Sequence, residues 1–267
     1  MQYTFSPRLK MASLIMVVVG IVLYGIGLFL HQGDVANSTE YINGLIQAHP
    51  TQFYGDYISD SYAALNTDHD SHMQHLVNLL KNRPWAAFYV PAYLAFGIAA
   101  SALFFLCIQF VANAGWSLVV SRAMEAIASF LPVGSALLGI IVLGSYFHMN
   151  HLFHWMDADL INPESPKYDI FMANKAQLWL SPNFWLIRYV IYLAILSWMV
   201  FVIKNATRKL DETNGDLKAY SQLYTKSVIY LVIFAICSAA FAWDFVMSLD
   251  PHWFSSLFMW YGMVSYL

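Results

Sequence analysis

The sequence predicts an all-α, polytopic transmembrane helical bundle. Three observations carry this reading. Of 267 residues, 59% are hydrophobic and only 11% are charged, where soluble domains average about 25% charged. Mean hydropathy is +0.53. The charges that do occur fall between long runs without any: Met11–Leu30, Pro84–Ser121, Ala126–Phe147 and Ser227–Trp243, with Asn183–Ile203 broken only by Arg188. A spanning helix needs about 20 mostly apolar residues. These runs make five full spans, and Trp253–Leu267 reads as the start of a sixth. That run meets the end of the sequence in mid-span, so a longer protein is expected. The net charge of −3 gives no electrostatic footprint for nucleic acid.

The organisation follows in chain order. Residues 1–30 hold a short N-terminus and the first span. Its apolar run of 20 residues exceeds the 7–15 of a signal-peptide core, so it reads as an uncleaved helix. Residues 31–83 form a loop ending in "DSHMQHLVNLLKNRPW", where Met73, Leu76, Val77 and Leu80 share one helical face. That face suits a helix lying in the membrane interface. The same stretch carries a triplet, His69, His72 and His75. Residues 84–267 form the transmembrane bundle. "NRPW" opens the second span; Pro91 and Pro132 are expected to kink their helices, and Gly115 suits a helix end. "SPNFW" places Ser181 at an N-cap with Pro182 after it. "LDPHWF" gives Asp250 and Pro251 the same roles before the sixth run. The stretch 204–224 reads as a solvated connector. Cys107 and Cys237 sit inside apolar runs and read as packed core residues rather than a disulfide. The Trp and Tyr content suits interfacial belts.

Lys and Arg accumulate on the cytoplasmic side of membrane proteins. With the N-terminus inside, the inner segments carry Arg8, Lys10, Arg122, Lys204, Arg208, Lys209, Lys218 and Lys226; the longer outer segments carry Lys81, Arg83, Lys167 and Lys175. An N-terminus in the cytoplasm is therefore expected, with residues 31–83 and 148–182 outside.

Ionisable residues within spans are expensive and mark functional candidates. Arg188 follows the outer start of span four, and Asp244 precedes the outer end of span five. At about 1.5 Å per residue both lie about 8 Å below the outer boundary. Matching depth on consecutive antiparallel helices predicts an ion pair, which either fixes helix register or forms a buried polar site in a proton relay. At the same rim, "HMNHLFHWMD" places His148, His151 and His154 three apart, over about 120° of a helical face, near Asp157, Asp159, Asp250 and His252. Four readings stand open: a wet helix end, a proton-conducting or quinol-facing rim, a zinc site completed from elsewhere, and haem ligation. On the inner side Arg122 and Glu125 can pair along a helix. If span three begins near Ser117, Glu125 lies inside the membrane as an inner proton-entry group; if that stretch is interfacial, the pair is a surface contact.

Several segments together resemble one family: "TFSPRLK", "NRPWAAFYV", "AGWSLVVSRAMEAI", "HMNHLFHWMD", "NFWLIR" and, most specifically, "WDFVMSLDPHWFSSLFMWY". Their order is similar to that in the F subunit of bacterial alternative complex III, a quinol:cytochrome c oxidoreductase. That subunit is itself similar to the membrane subunit of polysulfide reductase and its NrfD-type relatives. The resemblance implies a longer subunit of two four-helix bundles with flanking helices, in the bacterial inner membrane. It implies partners: an iron–sulfur subunit, multihaem cytochromes c and a homologous membrane subunit. It implies that haem c and iron–sulfur clusters sit in those partners, that none is bound here, and that menaquinol or another quinol is the reductant. The polar residues it points to are His148, His151, Asp157, Arg188, Asp244, Asp250 and His252. Two readings from other classes compete: a secondary transporter or channel, which would show inverted repeats or short broken helices near mid-membrane, and a purely structural membrane anchor.

Overall fold

A computed structural model describes residues 6–48, 66–165, 168–213, 215–253 and 255–264. Among them the chain is helical with no strand: α1 (Pro7–Ala36), α2 (Ser38–Ala48), α3 (Asn66–Val111), α4 (Leu118–Ala128), α5 (Leu131–Tyr146), α6 (Ile170–Leu178), α7 (Pro182–Glu212), α8 (Leu217–Phe245) and α9 (Phe258–Val264). Five stretches are long and apolar enough to cross a membrane: Pro7–Ala36, Leu76–Val111, Gly115–Tyr146, Pro182–Glu212 and Leu217–Leu249. This matches the five expected spans.

The chain divides into two compact units, Met1–Ala87 and Phe88–Leu267. In the first, α1 is apolar around its whole circumference, and its most apolar window buries nothing. A helix hydrophobic all round suits a membrane span. Tyr24 donates its hydroxyl to the Pro84 carbonyl at 3.1 Å, and Arg83 Nη1 donates to the Tyr41 hydroxyl at 3.1 Å. Leu76 and Leu80, on the expected apolar face, are buried. That face does not belong to a separate interfacial helix. α3 runs unbroken for 46 residues with Pro84 and Pro91 inside it, so the boundary expected at Pro84 is not a helix start. A proline costs a helix one hydrogen bond and does not by itself end it when the flanking turns are well supported. The side chains of His69, His72 and His75 lie outside the described residues.

In the second unit α3, α5, α7 and α8 form a four-helix bundle. α7 packs against α8 and α5, and α9 against α8. Aromatic rings fill the seam between α3 and α8: Phe96 stacks on Phe241 with centroids 4.9 Å apart, and Phe104 meets Phe234 at 4.6 Å. Gly134 lets α5 approach α3 closely, because a Cβ there would sit 3.2 Å from the Phe96 Cα. Cys107 and Cys237 are free and buried.

Three helix ends differ from expectation. Span three is broken rather than kinked: α4 stops at Ala128, the Phe130 amide turns back to the Ile127 carbonyl at 3.0 Å, and Pro132 stands in the first turn of α5. Proline suits that place because the first helical amides lack partners anyway. The end of α3 is made by Asn113, in the left-handed region at φ 52°, and not by Gly115, which opens a short 3-10 turn. Residues 204–212 continue α7 instead of forming a connector. Ser181 does sit at the N-cap of α7, with Pro182 after it.

Candidate functional site

The predicted ion pair forms. Arg188 Nε donates to Asp244 Oδ2 at 2.8 Å, and Nη2 donates to Oδ1 at 2.7 Å. The two parallel bonds match the fork of a guanidinium to the two oxygens of a carboxylate. Asp244 is 0% exposed and Arg188 6%. The helices deliver both by register: α7 enters at Pro182 and presents Trp185, Arg188, Tyr189 and Tyr192 to the interior, while the last turn of α8 buries Asp244 and Phe245.

Sequence reasoning found the pair but missed its third member. Trp179, just before α7, donates its indole N–H to Asp244 Oδ1 at 2.7 Å. The Arg188 guanidinium lies over the Trp179 ring at 4.1 Å and over Phe184 at 4.5 Å, within cation–π range. The Asp244 main-chain carbonyl is also taken, by Trp185 Nε1 at 3.1 Å and the Ser248 hydroxyl at 2.5 Å. Behind this, Trp155 and Phe153 pack on Trp185 with centroids 5.8 and 5.1 Å away, and the Tyr89 hydroxyl donates to the Phe245 carbonyl. Both oxygens of the carboxylate are engaged, and the cation sits in the corner made by two perpendicular rings. The arrangement can keep two opposite charges in a low-dielectric place and bind a loop residue to two spans.

The remaining predicted residues at this end of the bundle do not gather into one site. His252 Nε2 lies 3.2 Å from Asp169 Oδ2. Asp169 is also the N-cap of α6, its Oδ1 accepting from the Phe171 and Met172 amides at 2.8 and 3.3 Å. Lys175 Nζ donates to the Pro251 carbonyl. The segment around α6 is thus fastened to residues 244–252 at three places. Asp250 is exposed and does not cap a helix. The chain turns at Pro251, and the Ser255 hydroxyl accepts from the Phe258 amide at 3.2 Å before α9.

The histidine triplet does not share a helical face. α5 ends at Tyr146, with His148 in the left-handed region at φ 55°. The His148 amide donates to the Ser145 carbonyl at 3.0 Å and the Met149 amide to the Gly144 carbonyl at 2.8 Å. This pair of bonds is a Schellman cap, a place usually given to Gly or Asn. Buried Asn150 then takes the Ser145 hydroxyl at 2.8 Å and the Leu152 amide at 3.2 Å on its Oδ1. His148, His151, His154 and Asp157 are exposed. They stand in loop and 3-10 turn rather than facing one another inside the bundle, which does not suit paired haem ligation. Among the described residues no group of three His, Cys, Asp or Glu is placed to hold a metal ion. The side chain of Asp159 lies outside the described residues.

At the opposite end of the bundle, Arg122 Nη1 donates to Glu125 Oε2 at 2.6 Å, and Nη2 pairs with Asp211 on α7. Glu125 is buried, 8% exposed, while the Arg122 and Asp211 side chains are exposed.

Comparison with models of known protein families gives no match, and no curated protein is similar to the chain.

Proposed function

We propose that the chain is an integral membrane subunit of a quinol:electron-acceptor oxidoreductase complex, seated in the bacterial inner membrane with its N-terminus in the cytoplasm. The redox identity comes from the resemblance to the alternative complex III F subunit and its NrfD-type relatives. The haem c and iron–sulfur centres belong to partner subunits in this reading. They would be a multihaem cytochrome, an iron–sulfur protein and a homologous membrane subunit, with menaquinol or another quinol as reductant. This chain contributes proton handling and scaffolding rather than electron transfer.

The observation that supports a role in proton handling is the buried Arg188–Asp244 pair. Charges inside membrane segments are kept where they serve an ion or proton pathway, or hold helices in register. Fixed opposite charges just below the outer boundary set the local potential felt by protons released there. His148, His151, Asp157, Asp250 and His252 are exposed polar residues of kinds that carry protons in such complexes.

The test uses the whole complex. The tagged chain should co-purify with c-type haem absorbance and partner chains. Asp244→Asn should then lower protons released per quinol oxidised while the complex still assembles. A chain that purifies alone, with no haem, refutes the redox assignment and favours a transporter. Unchanged proton yield at full turnover refutes the role of the pair in proton handling. Loss of assembly makes the pair a structural tie.

A further inference from the structure

One face of α7 is exposed along its length. Ile187, Ile191, Trp198 and Phe201 on this face are 54, 48, 62 and 56% exposed. Steps of three and four residues put them on one stripe. The stripe then changes character: its next two places are Asn205 and Arg208, both exposed.

The Arg188–Asp244 pair fixes the level of this change. It holds α7 and α8 at a common height, about 8 Å inside one membrane boundary. With a hydrocarbon core about 30 Å thick, the other boundary lies about 22 Å from the pair. Trp198 and Phe201 stand about 15 and 20 Å along α7, within the core, and Arg208 about 30 Å, beyond it. α8 keeps register over this distance, because Lys209 Nζ donates to Gln222 Oε1 at 3.2 Å. That sets Lys226, one turn nearer the pair than Gln222 and about 27 Å from Asp244, level with Asn205 and Ala206. Asn205, Arg208 and Lys226 therefore lie about 3–8 Å past the boundary, in the headgroup layer.

Their charges are open. Among the described residues Arg208 and Lys226 have no ion-pair or hydrogen-bond partner. Lys204, one turn before Arg208, is engaged elsewhere and donates to the Ser129 hydroxyl at 3.0 Å. The acids lie further out. Asp211 is tied to Arg122, and exposed Glu212 stands about 14 Å past the boundary. Cations at the depth of lipid phosphates, with an apolar stripe on the core side and carboxylates on the water side, complement a phospholipid in both charge and polarity.

We propose that this end of α7 is a binding site for an anionic phospholipid of the leaflet away from the Arg188–Asp244 pair. An acyl chain lies along Trp198 and Phe201, and the phosphodiester sits among Asn205, Arg208 and Lys226. Arg208 offers the phosphate two parallel N–H donors, and Lys226 a point charge. An anionic headgroup is preferred over a zwitterionic one, whose own cation would join two already present. The site needs a membrane but neither quinol nor redox partners, so it stands or falls apart from the redox reading.

The test is native mass spectrometry of the full chain released from nanodiscs of phosphatidylglycerol and phosphatidylcholine in equal parts. The wild type should retain phosphatidylglycerol in preference. Each cation near an anionic lipid surface contributes about fivefold to affinity, so Arg208→Gln and Lys226→Gln should each lower retention by about that factor. Arg208→Lys should keep most of it. Lys218→Gln removes an exposed charge about 17 Å past the boundary and should change nothing. A phosphatidylglycerol carrying a photoreactive group high on its acyl chain should label residues 198–205, and excess inorganic phosphate should not displace it. Equal retention of the two lipids, an equal loss in Lys218→Gln, displacement by phosphate, or adducts confined to other helices overturns the site. The photolabel uses the wild type, so it decides the matter if a glutamine variant misfolds.

Discussion

Removing one member of the Arg188–Asp244 pair should be far more damaging than removing both. Asp244→Ala leaves a guanidinium that is 7% exposed with no anion, and takes away the hydrogen bonds received by the carboxylate, twice from Arg188 and once each from Trp179 and Tyr192. Breaking a buried pair in this way costs about 3–5 kcal/mol. The rings of Trp179 and Phe184 still face the cation and return up to about 2 kcal/mol, so the net loss should fall near 3 kcal/mol. Arg188→Met strands the carboxylate with Trp179 and Tyr192 as its remaining side-chain donors and should cost as much or more. In Arg188→Met/Asp244→Leu no charge is stranded, and the chief penalty is the Trp179 indole N–H without an acceptor, about 1–3 kcal/mol. The double-mutant cycle should therefore give a coupling above about 2 kcal/mol. Reversible unfolding in mixed detergent micelles, followed for all four proteins, measures it. A coupling below about 0.5 kcal/mol, the level of an exposed pair, would refute the claim that these charges sit in a low-dielectric place.

Three further outcomes are expected. His148→Gly should leave stability unchanged or raise it slightly, and His148→Val should lower it by about 1 kcal/mol or more, because φ 55° is strained for a β-branched residue; thermal melts in detergent read both. Gly134→Val should destabilise by about 1–3 kcal/mol through overpacking, since even a Cβ would meet the Phe96 backbone at 3.2 Å; a melt unchanged from wild type would show that α3 and α5 are farther apart than described. Asp169→Ala removes the cap of α6, worth about 1 kcal/mol, together with the contact to His252, so limited proteolysis should cut faster within residues 158–181 while the spans stay intact.

The spans and the charged pair were legible because both rest on long-range averages: apolar run length, and depth counted in residues from a boundary. What was not legible depended on local choices with two good solutions. Proline is acceptable both at the first turn of a helix and, with support, inside one, so Pro84 suggested a start that α3 does not have and Pro132 a kink where the helix instead stops. His148 carries no signal for the left-handed region; glycine or asparagine would have announced the end of α5, and the three-residue spacing of the histidines suggested a helical face where none exists. Asp250–Pro251 has the form of a cap but forms a turn, and Ser255 meets the next helix. Trp179 resembles any belt aromatic in the sequence. Only the approach of α8 makes it a donor to Asp244, a relation across 65 residues that no local pattern encodes.

The contact between Trp179 and the pair also gives this end of the molecule an optical signature. An indole whose N–H points at a carboxylate and whose face lies 4.1 Å from a guanidinium emits under a strong, fixed local field. Any event that loosens the clamp changes that field, so the part of the emission that Trp179→Phe removes from this nine-tryptophan chain can report on it without an added label.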